Sequence, residues 1–201
     1  MLTFSIRTRV DCVDREMLIR LKKAGCKQIN YGVESYQTEV LKILGKRVSG
    51  DLNKTVIKMT REIDISTLAY IILGSPGETI SQIRNTVNET VESDPDYAYI
   101  QALTPAPATA IYNLGLKKGL YEDYWRRLVL DPVSNCKMPV WAEFDTEVLN
   151  NEITRAALMF YIRPKFIIRK LRELTSWKEL IELAKIFFNM LLGRNEYIGG
   201  S

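Results

Sequence analysis

Residues 69–79 constrain the fold most, because a strand, a turn and a helix start follow one another within them. The apolar run 68–73 predicts a parallel strand covered on both faces. Gly74 and Gly77 flank a proline and predict a sharp turn. From Ile80 onward, apolar residues recur at helical spacing. Such a junction can offer backbone N–H groups to an anion, but an ordinary strand–helix turn has the same pattern.

Strand and helix patterns alternate on both sides of this junction. Alternating apolar segments predict four strands, at residues 2–10, 27–33, 68–73 and 97–103. The alternation predicts parallel strands with right-handed helical crossovers. A closed barrel needs about eight strands. We therefore predict an α/β fold, a partial (βα) TIM-like barrel followed by a C-terminal helical extension. Its expected divisions are a half-barrel at 1–115, an irregular connection at 116–146 and the helical extension at 147–201.

Composition removes several classes of chemistry. The chain has no histidine, which excludes histidine acid–base catalysis and histidine metal ligands. Cys12, Cys26 and Cys136 are far apart, so no metal site and no disulfide framework is expected. Reduced thiols predict a cytoplasmic protein. The longest apolar run near the end is too short to cross a bilayer, so no transmembrane segment is predicted.

Positive charge is mild overall and concentrated in one place. The net charge is +4, and a basic run of arginine and lysine residues extends from 163 to 172. Such runs are mostly solvated helix faces, and no aromatic stacking pattern accompanies this one. We therefore expect no nucleic-acid partner, with contact to an anionic surface as the alternative.

Chemistry-bearing residues fall at the carboxyl ends of the predicted strands. They are Arg9, Glu34 with Ser35, the Gly74 turn and Thr104. In parallel α/β folds, ligands bind at this edge of the sheet. This edge is therefore the expected ligand site, although no catalytic residue can be named.

Six segments together resemble the second half of a radical S-adenosylmethionine (SAM) domain. Their order and spacing match that family: 9–11 (RVD), 21–26 (LKKAGC), 32–35 (GVES), 41–46 (LKILGK), 74–79 (GSPGET) and 103–109 (LTPAPAT). The tail, with its tryptophans and the segment 160–164 (FYIRP), looks like the cobalamin-binding subgroup. That subgroup is typified by the anaerobic magnesium-protoporphyrin IX monomethyl ester oxidative cyclase.

The resemblance implies a SAM cleft across the strand ends. It assigns Glu34 and Ser35 to the ribose, Lys46 or Arg47 to the methionine carboxylate, Ile72 and Gly74 to the adenine-side wall, and Thr104 and Pro105 to the adenine. A carboxylate accepts hydrogen bonds from hydroxyls, and a cation pairs with a carboxylate. For Glu34 and Lys46 the alternative is a surface ion pair or a helix cap.

Departures from the family limit what the chain is expected to do alone. The family's chemistry uses a four-iron cluster held by a CxxxCxxC loop, and this sequence has no such loop. The family places that loop and the cobalamin domain upstream of the Arg9 strand. The family's Pro-Gly-Thr after the last strand is replaced by 107–109 (PAT), which changes the turn at Ala108.

The resemblance therefore implies the C-terminal part of an iron–sulfur oxidoreductase. The 4Fe–4S cluster, the cobalamin and the small-molecule substrate belong to the full-length enzyme, whose missing N-terminal half or partner subunit would complete the site. The chain alone is expected to be inactive, to hold no metal and to bind SAM weakly.

A second hypothesis comes from the predicted edge of the sheet. Strand 2–10 should leave one edge unpaired, and open edges recruit other strands. The chain would then be a non-catalytic interaction module or remnant that self-associates, unless a tail helix covers the edge.

Overall fold

The computed structural model describes residues 2–133, 140, 141, 143, 145–173, 181 and 185. It is an α/β structure, as predicted, with four parallel strands in the order β1-β2-β3-β4. The elements are β1 Phe4–Thr8, α1 Arg15–Ala24, β2 Cys26–Glu34, α2 Thr38–Ile43, α3 Gly50–Glu62, β3 Ser66–Leu73, α4 Ile80–Ser93, β4 Tyr97–Ala102, α5 Ala110–Lys117, α6 Tyr124–Leu130, α7 Thr146–Tyr161 and α8 Pro164–Glu173. The order and direction of the strands are those of a partial TIM-like barrel.

Helices cover one face of the sheet, which we call the helix-covered face. Ile29 and Tyr31 of β2 and Ile71 of β3 are fully buried there, in a cluster with Leu18 of α1 and Ile57 of α3. Removing this apolar surface from water contributes about 25 cal/mol for each Å². The helix-covered face therefore contains the main hydrophobic core.

The opposite side, the open face, carries side chains that are only partly buried. Along β3 it presents Leu68, Tyr70 and Ile72, which alternate with fully buried residues. The sequence predicted that β3 would be covered on both faces. This was wrong for the open face, because α1, α3, α4 and α7 all contribute to the core on the other side.

Local sequence explains where two of the helices begin. Asp14, rather than Asp11, caps α1 by accepting a hydrogen bond from the backbone N–H of Met17. Asp11 instead pairs with Arg9, whose guanidinium lowers the pKa of the Asp11 carboxyl. Helix α4 begins with a capping box in which the Thr79 side chain and the third helical residue cap each other.

The basic run is partly built into the structure. Arg163 and Arg169 lie beside Asp94 and Asp96 at the start of β4, with N–O distances of 2.9 Å for Arg163–Asp94 and 3.3 Å for Arg169–Asp96. Arg163 also stacks on Phe160, 3.9 Å from the ring centre. The prediction of a solvated helix face is therefore wrong for these two arginines, whose acidic partners are distant in sequence.

Helices α7 and α8 form the described part of the tail. Helix α7 packs against α4 and β4, and Phe160 and Phe166 form a small apolar cluster with Ala98. Helix α6 falls inside the segment predicted to be irregular, and most of the predicted helical extension beyond residue 173 lies outside the described residues. The proposed division into three segments stays a prediction. Within the described ranges, no helix has the length and apolar character needed to cross a membrane.

Candidate functional site

The end of β2 has an unusual backbone. Glu34 adopts a left-handed conformation with φ of +62°, and the pairing register with β3 shifts between Gly32 and Glu34. A non-glycine residue in this region costs roughly 1–2 kcal/mol. The backbone N–H of Ser35 donates to the carbonyl of Val33 at 2.8 Å, which closes a tight turn around Glu34.

Buried polar groups hold this turn in place. The Nδ2 of Asn53 donates to the carbonyl of Ser35 at 3.0 Å and to that of Val33 at 3.4 Å. The Ser35 hydroxyl is fully buried and shares a 2.9 Å hydrogen bond with Thr86 of α4. Ser35, a predicted ligand residue, is thus buried behind the turn, and its assignment to the ribose stays a prediction.

Glu34 and Lys46 form an ion pair over Gly32. Their Oε1 and Nζ atoms are 3.1 Å apart, and both side chains are largely shielded, with 16% and 18% of their surface exposed. Lys46 also donates to the carbonyl of Gly32 at 3.3 Å. A Cβ on Gly32 would lie 2.8 Å from Glu34 Oε1, so the missing side chain leaves the space that the pair occupies.

The pair presents a carboxylate and an ammonium group side by side. A carboxylate accepts hydrogen bonds from hydroxyls, and an ammonium group binds carboxylates. A ligand that carries a carboxylate and hydroxyl groups therefore matches both members. The sequence left Lys46 and Arg47 as alternatives, and the structure brings Lys46 to Glu34. Arg47 is exposed and forms no ion pair with any described residue.

The turn after β3 is held by a carboxylate that the sequence did not single out. The Oε2 of Glu78 accepts hydrogen bonds from the N–H groups of Gly74 at 2.8 Å and Ser75 at 3.0 Å. The Glu78 residue is only 3% exposed, and burial raises the pKa of its carboxyl to about 6. The backbone N–H of Gly77, in the same turn, donates to the Glu143 carboxylate. These N–H groups are therefore already engaged within the protein, so the ordinary-turn interpretation fits better than an anion cradle.

A signal for Glu78 was present in the sequence. An acidic residue one position before a capping threonine can fold back onto the N–H groups of the turn that precedes the helix. Spacing alone does not give the burial that singles this carboxylate out.

The remaining predicted residues lie at the ends of β3 and β4. Ile72 is half-buried on the open face, and Gly74, with φ of +78°, packs so closely on Leu149 that a Cβ would meet it at 2.8 Å. The N–H of Leu103 donates to the carbonyl of Leu73 at 2.9 Å, so Gly74 and Thr104 follow neighbouring strand ends.

The chain after β4 contacts helix α6. Thr104 is half-buried, while Pro105 is buried and its carbonyl accepts from the Trp125 indole at 3.4 Å. Ala108, where the sequence departs from the family's glycine, has φ of +63°. An alanine in this conformation is strained, because its Cβ crowds the backbone.

No metal centre is formed by the described residues. Cys12 is exposed and Cys26 is buried. No group of three or more His, Cys, Asp or Glu side chains in the described part of the chain could hold a metal ion. A four-iron cluster needs converging thiolates, so these residues do not fit one.

Comparisons with known proteins show what this chain is similar to. Residues 1–90 match the family model described as "Radical SAM superfamily". The chain is 25% identical over 174 residues to an uncharacterized methyltransferase of Pyrococcus horikoshii, covering 86% of this chain and 37% of that protein. It is 30% identical over 150 residues to the anaerobic magnesium-protoporphyrin IX monomethyl ester cyclase of Cereibacter sphaeroides, covering 74% of this chain and 24% of that protein. The chain thus spans well under half the length of these relatives.

One solved structure resembles nearly the whole chain. The cobalamin-dependent S-adenosylmethionine radical enzyme OxsB superposes on 96% of this chain and 34% of its own, with a TM-score of 0.52 and 14% identity. At this identity, the likeness concerns the fold alone.

Proposed function

We propose that the chain, whose residues 1–90 match the radical SAM superfamily model, supplies part of the SAM cleft and substrate cavity of an iron–sulfur radical SAM oxidoreductase. The observation that carries the proposal is the Glu34–Lys46 pair over Gly32, at the carboxyl end of β2. We assign the enzyme to the cobalamin-binding subgroup on its similarity to the magnesium-protoporphyrin cyclase. The reaction of the whole protein would then be hydrogen abstraction leading to oxidation, cyclisation or methylation.

Each end of SAM has a proposed partner. Glu34 accepts hydrogen bonds from the ribose hydroxyls, and Lys46 binds the methionine carboxylate, with Arg47 as the alternative cation for that carboxylate. Ser35 acts through its bond to Thr86 by positioning Glu34. Ile72 and Gly74 form the adenine-side wall, and Thr104 and Pro105 complete it at the end of β4.

Part of the cofactor set lies outside these residues. In this superfamily SAM, bound to a reduced four-iron cluster, supplies the radical that abstracts hydrogen. The two described thiols, Cys12 and Cys26, do not fit that cluster, Cys136 lies outside the described residues, and the sequence has no CxxxCxxC loop. We therefore propose that the cluster and cobalamin are contributed by the full-length enzyme. We therefore expect the 201-residue chain alone to be inactive.

The edge of the sheet supports a second candidate function. Among the described strands, β1 pairs only with β2, and Leu2 beside it is 81% exposed. An edge with free N–H and C=O groups is a template for another strand. A non-catalytic module that pairs through this edge would use β1 and leave the Glu34–Lys46 pair without a ligand.

Calorimetric titration with SAM tests the first proposal. We expect a dissociation constant between high micromolar and millimolar, about 4–6 kcal/mol of binding free energy, because only part of the SAM site lies in this chain. Glu34→Gln should weaken binding, and Glu39→Gln, at an exposed position of α2, is the matched control. Unchanged affinity in Glu34→Gln would remove this carboxylate from the site, and submicromolar binding would contradict the proposed division of the site.

A further inference from the structure

A second polar cluster lies on the open face, beside the Glu34–Lys46 pair. The guanidinium of Arg7, on β1, donates to the Tyr70 hydroxyl of β3 at 2.7 Å and lies 4.8 Å from the centre of the Tyr70 ring. The Arg7 side chain therefore crosses β2. The register partner of Tyr70 on β2 is Gly32, over which the Glu34–Lys46 pair lies.

Arg7 has no acidic partner among the described residues. Other arginines of the chain do have one: Arg9 pairs with Asp11, and Arg61 with Asp94. Arg7 is exposed, and within the described part of the chain its side chain donates one hydrogen bond, to the Tyr70 hydroxyl. A guanidinium has five N–H donors in a planar fork, so most of them stay available for a ligand.

The surroundings of Arg7 are aromatic and neutral. The Tyr99 ring of β4 meets the Tyr70 ring edge-on, with centres 5.6 Å apart and planes at 68°. Gln28 and Asn30 share a 2.7 Å hydrogen bond between their side-chain amides on the same face. The acid at the end of β2, Glu34, is already paired with Lys46. Positive charge on this part of the face is thus fixed in place without a balancing carboxylate.

The position of Arg7 along β1 places its cluster next to the Glu34–Lys46 pair. Its register partner is Asn30, four residues before Glu34, or about 13 Å along the strand at about 3.3 Å for each residue. The side chain then reaches the level of Gly32, over which the Glu34–Lys46 pair lies. A molecule held by Arg7 would therefore lie next to a ligand held by Glu34 and Lys46.

We propose that Arg7, Tyr70 and Tyr99 form a subsite for the carboxylate of the substrate and for a planar group attached to it. The inference deepens the proposed function and rests on it. Arginine binds a carboxylate through two parallel N–H···O bonds, and Tyr70 pre-orients the guanidinium for that geometry. The tyrosine rings supply an apolar surface next to it, which a planar group can cover.

The test compares a charged and a neutral probe of the same shape. Cinnamate has a planar group and a carboxylate, and cinnamamide replaces the carboxylate with an amide. Ligand-observed NMR titrations of the 201-residue chain should show cinnamate binding about tenfold more tightly than cinnamamide, which is about 1.4 kcal/mol. Equal affinities for the two probes, or no binding of either, would overturn the inference.

Variants then test whether Arg7 causes the preference for cinnamate over cinnamamide. Arg7→Gln should abolish the preference for cinnamate, and Arg7→Lys should restore part of it. Arg15→Gln, which removes an arginine of α1 that pairs with Glu62 of α3, should leave the preference intact. Circular dichroism checks folding, and if Arg7→Gln fails to fold, Tyr70→Phe, which removes only the anchoring hydroxyl, should reduce the preference. A preference that persists in Arg7→Gln, or in Tyr70→Phe when that variant is used, overturns the subsite. SAM titration of Glu34→Gln tests the proposed function separately, so either idea can fail without the other.

Discussion

Replacing Glu78 with glutamine should make the stability of the chain less dependent on pH. The Glu78 carboxyl is buried under the turn after β3, and burial raises its pKa from 4.5 to about 6. The folded chain thus binds this proton more tightly than the unfolded chain does. Its contribution to the free energy of unfolding is greatest below pH 4.5, falls as the pH rises to about 6, and then stays level.

The size of the effect follows from the two pKa values. A difference between 4.5 and about 6 corresponds to about 2 kcal/mol, at about 1.4 kcal/mol for each pH unit. Glutamine keeps a carbonyl oxygen that can accept from Gly74 and Ser75, but it does not ionise. The free energy of unfolding of Glu78→Gln, measured relative to that of the parent chain, should therefore rise by about 1.5 kcal/mol between pH 4.5 and 7.5.

Urea denaturation at several pH values measures this difference directly. Other acids titrate in both proteins, so subtracting one curve from the other isolates Glu78. Glu78→Ala provides the contrast, since it leaves two buried N–H groups without an acceptor, at about 1–3 kcal/mol each. A difference between parent and Glu78→Gln that stays constant from pH 4.5 to 7.5 would refute the argument from burial.

Three further outcomes are expected from other parts of the chain. Ala108→Gly should raise the free energy of unfolding by about 0.5–1 kcal/mol in urea titrations, because it relieves a left-handed alanine; a loss of stability would contradict this. Asn53→Ala should lower the free energy of unfolding by about 2–3 kcal/mol and weaken SAM binding, because it frees the turn that holds Glu34. Unchanged SAM affinity in this variant would show that the turn does not affect SAM binding. The parent chain should self-associate at high micromolar concentration, and Ser5→Lys on β1 should suppress this in light scattering; a parent that stays monomeric would defeat the idea.

Local patterns in the sequence predicted the order of strands and helices. The apolar run before Gly74, the turn residues and the spacing after Ile80 each depend on a few neighbouring residues, and the structure has β3, the turn and α4 in these places. The side of the sheet that stays open was not predicted. It depends on where helices from four separate parts of the chain pack.

Contacts between distant residues explain what the sequence missed at the site. Arg7 and Tyr70 are 63 residues apart, and nothing in either neighbourhood indicates that they touch. Ser35 follows Glu34 directly and was assigned to the ribose on the family resemblance. Its burial against Thr86 depends on how α4 packs, which the local pattern does not show.

We have proposed that SAM binds beside the Glu34–Lys46 pair. An NMR titration of the ¹⁵N-labelled chain with SAM tests it most directly, with the backbone amides of Gly32 and Gly74 as reporters. We expect saturable chemical-shift changes at both amides and none at Gly25, which precedes the opposite end of β2. Gly32 and Gly74 amides that do not move, or that move no more than Gly25, would contradict it.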